Sequence, residues 1–190
     1  MSTRDRRERE RTGRERLIVT TARDLAEAEG WDAVTTRRLA DLIEYSQPVL
    51  YSHFTGKDAI MAAVAVEGFA EIAAQLSAAR AGARDPRAAL TAVVSAYADF
   101  AERRPALYDA MFVRTLPLQF DHVETPPALR EAFSALREGV RPFAGPDDLD
   151  VLTELLWAGL HGLVTLMRGG RLPRERQERR IALLCERFTG

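Results

Sequence analysis

The placement of proline and glycine against the apolar residues constrains this chain more than any other feature. From residue 17 onward, apolar side chains recur three and four positions apart, the period of an amphipathic helix. Leu17, Ile18, Thr21, Ala22, Leu25 and Ala28 form the first such stripe, which closes at Gly30, a C′ glycine. Pro86, Pro105, Thr125-Pro126, Gly145-Pro146 and Pro173 open later segments. A proline in the first helical turn forfeits no hydrogen bond, whereas one in a helix interior costs about 3 kcal/mol. The alternation of Val, Ile and Thr typical of a strand is missing, and so is any internal repeat. The expected fold class is all-α.

Two short segments near the start share a design. Thr35 reads as an N-cap, with Val34 and Leu39 at the two positions of a hydrophobic staple. Ser46 repeats the device with Tyr45 and Leu50, and Pro48 falls in the first turn that follows. Two short capped helices about three residues apart fit a helix-turn-helix. A long helix follows from Lys57 to about Arg80.

Composition narrows the function classes. A chain of 190 residues that is 46% hydrophobic can bury a core. Its single cysteine, Cys185, rules out an internal disulfide and suits a reducing compartment. The polar N-terminus does not read as a signal peptide, and the nearly apolar run from Leu155 to Met167 looks too short to span a bilayer. A cytoplasmic protein without a membrane partner is expected. The formal net charge is −1, so any affinity for nucleic acid must rest on where charges sit. Residues 1–16 hold seven arginines against four acids. They read either as a frayed, solvated terminus or as an arm that touches phosphates, and residues 1–13 are taken as a flexible basic arm.

In a helix-turn-helix the second helix enters the major groove and its first residues reach base edges. Here those residues are Ser46, Gln47 and Pro48, followed by Val49. The Gln47 amide can pair with adenine, and Pro48 can contact a thymine methyl. Gln47 also reads as an ordinary solvated residue. Lys57 is the only lysine in the chain and stands at a helix start. A cation there opposes the helix dipole unless an anion docks on the free N–H groups beside it. Thr35, Thr36 and Arg37 offer the same arrangement at the preceding helix start. Tyr51, Ser52 and His53 complete the candidate DNA contacts, while Phe54 reads as core.

Residues 14–60 resemble the TetR family of bacterial transcription repressors. The likeness rests on Gly30-Trp31-Asp32-Ala33-Val34-Thr35, on Leu39-Ala40, and on Leu50-Tyr51-x-x-Phe54-x-x-Lys57-x-x-Ile60. It implies that Tyr51, His53 and Lys57 contact the DNA backbone and that Gln47 and Pro48 read bases. The family's turn glycine is replaced here by Glu44. Trp157-Ala158-Gly159-Leu160-His161-Gly162 resembles the Trp-x-x-x-His-Gly signature of one C-terminal subgroup. The resemblance further implies that residues 14–57 form the DNA-binding domain. Residues 58–190 would then form a helical bundle that binds a small effector and dimerises through its last two helices.

Periodicity alone also points to a dimer. Between residues 147 and 168 one face carries Leu152, Leu155, Leu156, Gly159 and Leu163, and another carries Trp157, Leu160, Val164 and Met167. A helix apolar on nearly all sides needs cover on more than one. The last helix, within 174–189, adds Ile181, Leu184, Cys185 and Phe188. Packing of both against a second copy answers the need. Tyr97, Phe100, Phe112, Phe120, Phe133, Trp157 and His161 are candidates either for core or for a mostly apolar site with one polar group. His161 can equally bond a neighbouring carbonyl or face its twin.

A small enzyme fits poorly, because no catalytic or metal-ligand spacing is present and no phosphate-cradling glycine loop. A helical ligand carrier without specific DNA binding is the other alternative. The expected function is a homodimeric repressor of a palindromic operator, without metal or cofactor, released by a small apolar or amphipathic effector.

Overall fold

The computed structural model describes residues 3–114 and 125–190. Among the described residues every regular element is helical. The helices are α1 (Thr3–Glu29), α2 (Thr36–Leu42), α3 (Gln47–His53), α4 (Lys57–Ala81), α5 (Pro86–Arg103), α6 (Pro105–Phe112), α7 (Pro127–Val140), α8 (Leu149–Arg168) and α9 (Gln177–Phe188). The chain divides into two compact units, one of Met1–Gly68 with Arg104–Gln119 and one of Phe69–Arg103 with Phe120–Gly190. A boundary at residue 57/58 therefore does not describe it, because α4 continues through the division and α6 returns to the first unit.

In the first unit, the stretch expected as a flexible arm is already helical from Thr3. No apolar stripe announces those turns, but Arg6 and Glu10 (3.7 Å) and Arg11 and Glu15 (3.0 Å) pair four residues apart. Ile18, Ala22 and Leu25 of the α1 stripe are buried, as are Trp31, Val34, Leu39, Leu50, Ile60 and Val64, and α1 packs against α2 and α6. Thr35 caps α2 by accepting the Arg38 N–H at 3.2 Å. Ser46 occupies the cap position of α3 without a side-chain bond.

α6 is locked into this unit from several directions. The Glu27 carboxylate accepts the free N–H groups of Ala106 and Leu107, each at 3.1 Å, at the helix start. The Trp31 indole N–H donates to the Ala106 carbonyl at 2.7 Å. Gly68 of α4 leaves room for α6: a Cβ there would stand 2.6 Å from Met111 Sδ and 2.8 Å from Leu107 Cδ1.

In the second unit, α5 is the central helix. Leu90, Val93, Val94, Tyr97, Phe100 and Ala101 are buried along it, and α7, α8 and α9 pack against it. α8 begins later than Gly145-Pro146 suggests, because the carboxylate of Asp148 caps the Asp150 and Val151 N–H groups. α9 begins at Gln177 rather than next to Pro173. Pro173 is extended, and a 3₁₀ turn at Arg174–Arg176 intervenes. One helical face of α8 buries Thr153, Leu156, Leu160, Val164 and Met167. The opposite side leaves Val151 (52%), Leu155 (59%) and Leu166 (41%) exposed, next in kind to Leu183 (38%) of α9. The apolar run around Leu155–Met167 is also longer than it reads, since α4 and α8 each have the length and composition to cross a membrane.

Candidate nucleic-acid interface and ligand site

The turn between α2 and α3 positions the reading helix. Glu44 adopts φ +57°, the only non-glycine residue at positive φ among the described residues. The Tyr45 N–H reaches back to the Ala40 carbonyl at 2.9 Å, and the Ile43 N–H to Leu39 at 3.0 Å. This is a Schellman-type end to α2, in which Glu44 holds the position that usually carries glycine. Local hydrogen bonding thus builds the turn despite the side chain.

α3 presents one side outward. Leu50 is buried beneath it, while Ser46, Gln47, Pro48, Tyr51 and Ser52 are exposed. The Tyr51 and Thr36 hydroxyls lie 3.4 Å apart, so the starts of α2 and α3 share a polar edge. Arg37 is exposed beside it. The Ser52 hydroxyl donates to its own helix at Val49 O (2.7 Å). Gln47, Pro48 and Tyr51 are therefore open to solvent on this side, with Thr36 half-buried beside them.

Two candidate contacts face elsewhere. The His53 side chain is only 6% exposed, and its Nδ1 lies 3.3 Å from the Glu15 carboxylate on α1. The hydrogen bond with His53, then that with Arg11, holds the Glu15 carboxyl below its ordinary value. Lys57 donates to the Trp31 carbonyl at 2.5 Å. The argument that only an outside anion makes a lysine favourable at this helix start is thereby corrected: the protein supplies an acceptor itself. Trp31 O, Glu15 and the Glu29 carboxylate that takes Arg38 (2.5 Å) are partners that sequence spacing did not indicate.

In the second unit three of the candidate ligand residues come together. The Trp157 indole N–H donates to Tyr97 Oη at 3.1 Å. Tyr97 Oη lies 3.5 Å from His161 Nδ1, and His161 Nε2 lies 3.4 Å from Thr165 Oγ1. This row ties α5 to α8. Burial, and then the Arg168 charge, lower the His161 pKa, which favours the neutral ring. Phe100 is fully buried in the core and Phe133 of α7 is half-buried. Phe112 belongs to the other unit, where its ring is tilted by 55° against that of Tyr108 with centroids 4.8 Å apart. Phe120 lies outside the described residues. A groove of about 390 Å³ runs elsewhere, between α4 and α7, over Ala70, Ala73, Ala74 and Ala135, with Arg80, Glu131 and Glu138 at its rim. Among the described residues no three His, Cys, Asp or Glu side chains gather as a metal site would need.

Comparison with known proteins adds to this geometry. Residues 18–64 match the family model described as bacterial regulatory proteins, tetR family. Residues 90–188 match that described as tetracyclin repressor-like, C-terminal domain. The latter description does not name the Trp-x-x-x-His-Gly subgroup. An uncharacterized HTH-type transcriptional regulator of Mycobacterium tuberculosis, Rv0681, is 30% identical over 80% of this chain and 69% of its own length. Another from Bacillus subtilis, YobS, is 31% identical over 53% of this chain, which spans only 52% of that relative. A solved structure of a protein of unknown function from Rhodococcus sp. RHA1 superposes with a TM-score of 0.77 at 24% identity. That match covers 92% of this chain and 93% of the other. Matched at both its reading head and its C-terminal half, the chain is a DNA-binding transcriptional regulator of the TetR family and not an enzyme.

Proposed function

We propose that the chain acts in the cytoplasm as a homodimeric repressor that reads a palindromic operator and is released by a small apolar or amphipathic effector. The observation that carries this reading is the bare apolar side of α8. Val151, Leu155 and Leu166 lie at helical spacing and stay largely exposed on that side. Only about 22% of the most apolar stretch of α8 is buried, against 50% for α4. A second copy placed by two-fold symmetry covers α8 with α8, and α9 with α9, and gives two reading heads for two half-sites.

Within each head, Gln47 and Pro48 read bases, and Tyr51, Thr36, Thr35 and Arg37 position the helix on phosphates. Lys57 and His53 serve first as struts, through Trp31 and Glu15. They reach DNA only by exchanging those partners. In the other unit, Tyr97, Trp157 and His161 supply the polar end of the effector site. Continuous helix α4 carries the effect of binding, and linkage requires that effector and DNA weaken each other equally.

Selection of genomic fragments by the purified protein tests the first step. Gln47→Ala changes which fragment is preferred, whereas Tyr51→Phe weakens binding to all fragments alike. Retention of no fragment at any salt sinks the reading in favour of a ligand carrier. A compound that binds without any reciprocal change in DNA affinity sinks the effector step.

A further inference from the structure

The arginine-rich first turns of α1 lie outside the matched reading head, which begins at residue 18. Residues 4–14 are exposed on every side, so they contribute nothing to the core. Their charges are not scattered. At 100° per residue, Arg4, Arg7, Arg11 and Arg14 fall within about 80° of one another and form a stripe about 15 Å long. Arg6, Arg9 and Arg16 lie on the other side, and Glu8 and Glu10 border the stripe on its two edges. The inner end of the stripe meets the reading helix: Arg11 bonds Glu15 at 3.0 Å, and Glu15 in turn holds His53, the last residue of α3. The stripe is therefore joined, through Glu15, to the C-terminal end of α3, the helix whose outer side carries the candidate DNA contacts.

We infer that the Arg4–Arg7–Arg11–Arg14 face of α1 is a second phosphate-binding surface, which lengthens the footprint of each reading head along the duplex. The inference rests on the placement of α3 at DNA. A stripe of that length passes about four base-pair steps of backbone. Guanidinium groups match phosphate oxygens in a two-pronged fashion, and contacts of this kind set register without reading sequence. The Arg11–Glu15–His53 chain fixes the direction of the stripe relative to α3, as a flexible tail could not.

The test compares the full-length wild type with Arg4→Gln/Arg7→Gln/Arg14→Gln. Arg11 is kept because it holds Glu15. The probes are a genomic duplex retained by the wild type and a scrambled duplex of the same length. Each phosphate contact contributes about 0.9 to the slope of log affinity against log salt. The variant is expected to flatten that slope by about 2–3 per head on both probes, keep the wild-type preference between them, and shorten the backbone protected from hydroxyl radicals. An unchanged slope and footprint in the variant, while Tyr51→Phe alters affinity, overturns the inference and leaves the α3 interface standing. No salt-dependent retention by the wild type overturns both.

Discussion

Replacement of Glu44 by glycine offers the sharpest check on how the reading turn is built. Glu44 sits at φ +57° and is exposed, so its side chain has no packing to lose. The left-handed conformation costs a non-glycine residue roughly 1–2 kcal/mol. Glycine removes that cost but returns about 0.4–1 kcal/mol through the greater freedom of the unfolded chain. The net is a stabilisation of about 0.5–1 kcal/mol, which moves Tm upward by about 1–4 °C for a chain of this length. Thermal and urea unfolding at one fixed protein concentration measure it. Glu44→Gln is the control, since it removes the charge and keeps the backbone constraint. It leaves Tm near wild type, while both variants bind DNA more tightly because a carboxylate leaves the interface. Equal stabilisation by Gln and Gly would assign the effect to charge, and destabilisation by Gly would refute the backbone argument.

Gly68→Ala places a methyl inside the contact distance of Met111 and Leu107. It lowers stability by about 1–3 kcal/mol in chemical denaturation, as overpacking does. His161 has its pKa lowered from 6.5 by burial and Arg168, so the unfolded chain takes up a proton there before the folded one does. Its contribution to stability is complete above pH 6.5 and is lost as pH falls through the folded value. His161→Gln therefore flattens the acid side of a stability–pH curve and leaves the alkaline side unchanged. Leu155→Arg puts a charge on the bare face of α8. If α8 forms the proposed seam, sedimentation shows dimers for the wild type and monomers for the variant, with the helical signal retained.

Capping was legible because it is local. Thr35, with its staple of Val34 and Leu39, needs only six consecutive residues, and the structure makes the bond that the spacing implies. The helix period likewise picked out Ile18, Ala22 and Leu25 of α1 and Leu160, Val164 and Met167 of α8, which are buried, whereas Leu17 and Ala28 of the first stripe and Leu155 of α8 are exposed. Long-range pairings were not legible. Nothing in the spacing of Glu15 and His53 indicates that they meet, and nothing around Lys57 points to the carbonyl of Trp31. The first turns of α1 were missed because they are held by paired charges rather than by an apolar stripe. Glu44 was recognised as standing in place of glycine. That the Tyr45–Ala40 bond still closes the turn required coordinates.

The attachment of α6 bears on how such a protein can be re-engineered. Its helical neighbours in sequence, α5 and α7, belong to the other unit, yet Glu27, Trp31 and Gly68 hold it to the reading head. The head is thus written in two separate stretches of the gene. A chimera that joins residues 1–68 to a foreign sensor carries an acceptor carboxylate and an indole donor with no helix between them. A transplant must bring residues 104–114 as well, or recreate their backbone N–H groups and the Leu107–Met111 surface on whatever helix takes their place.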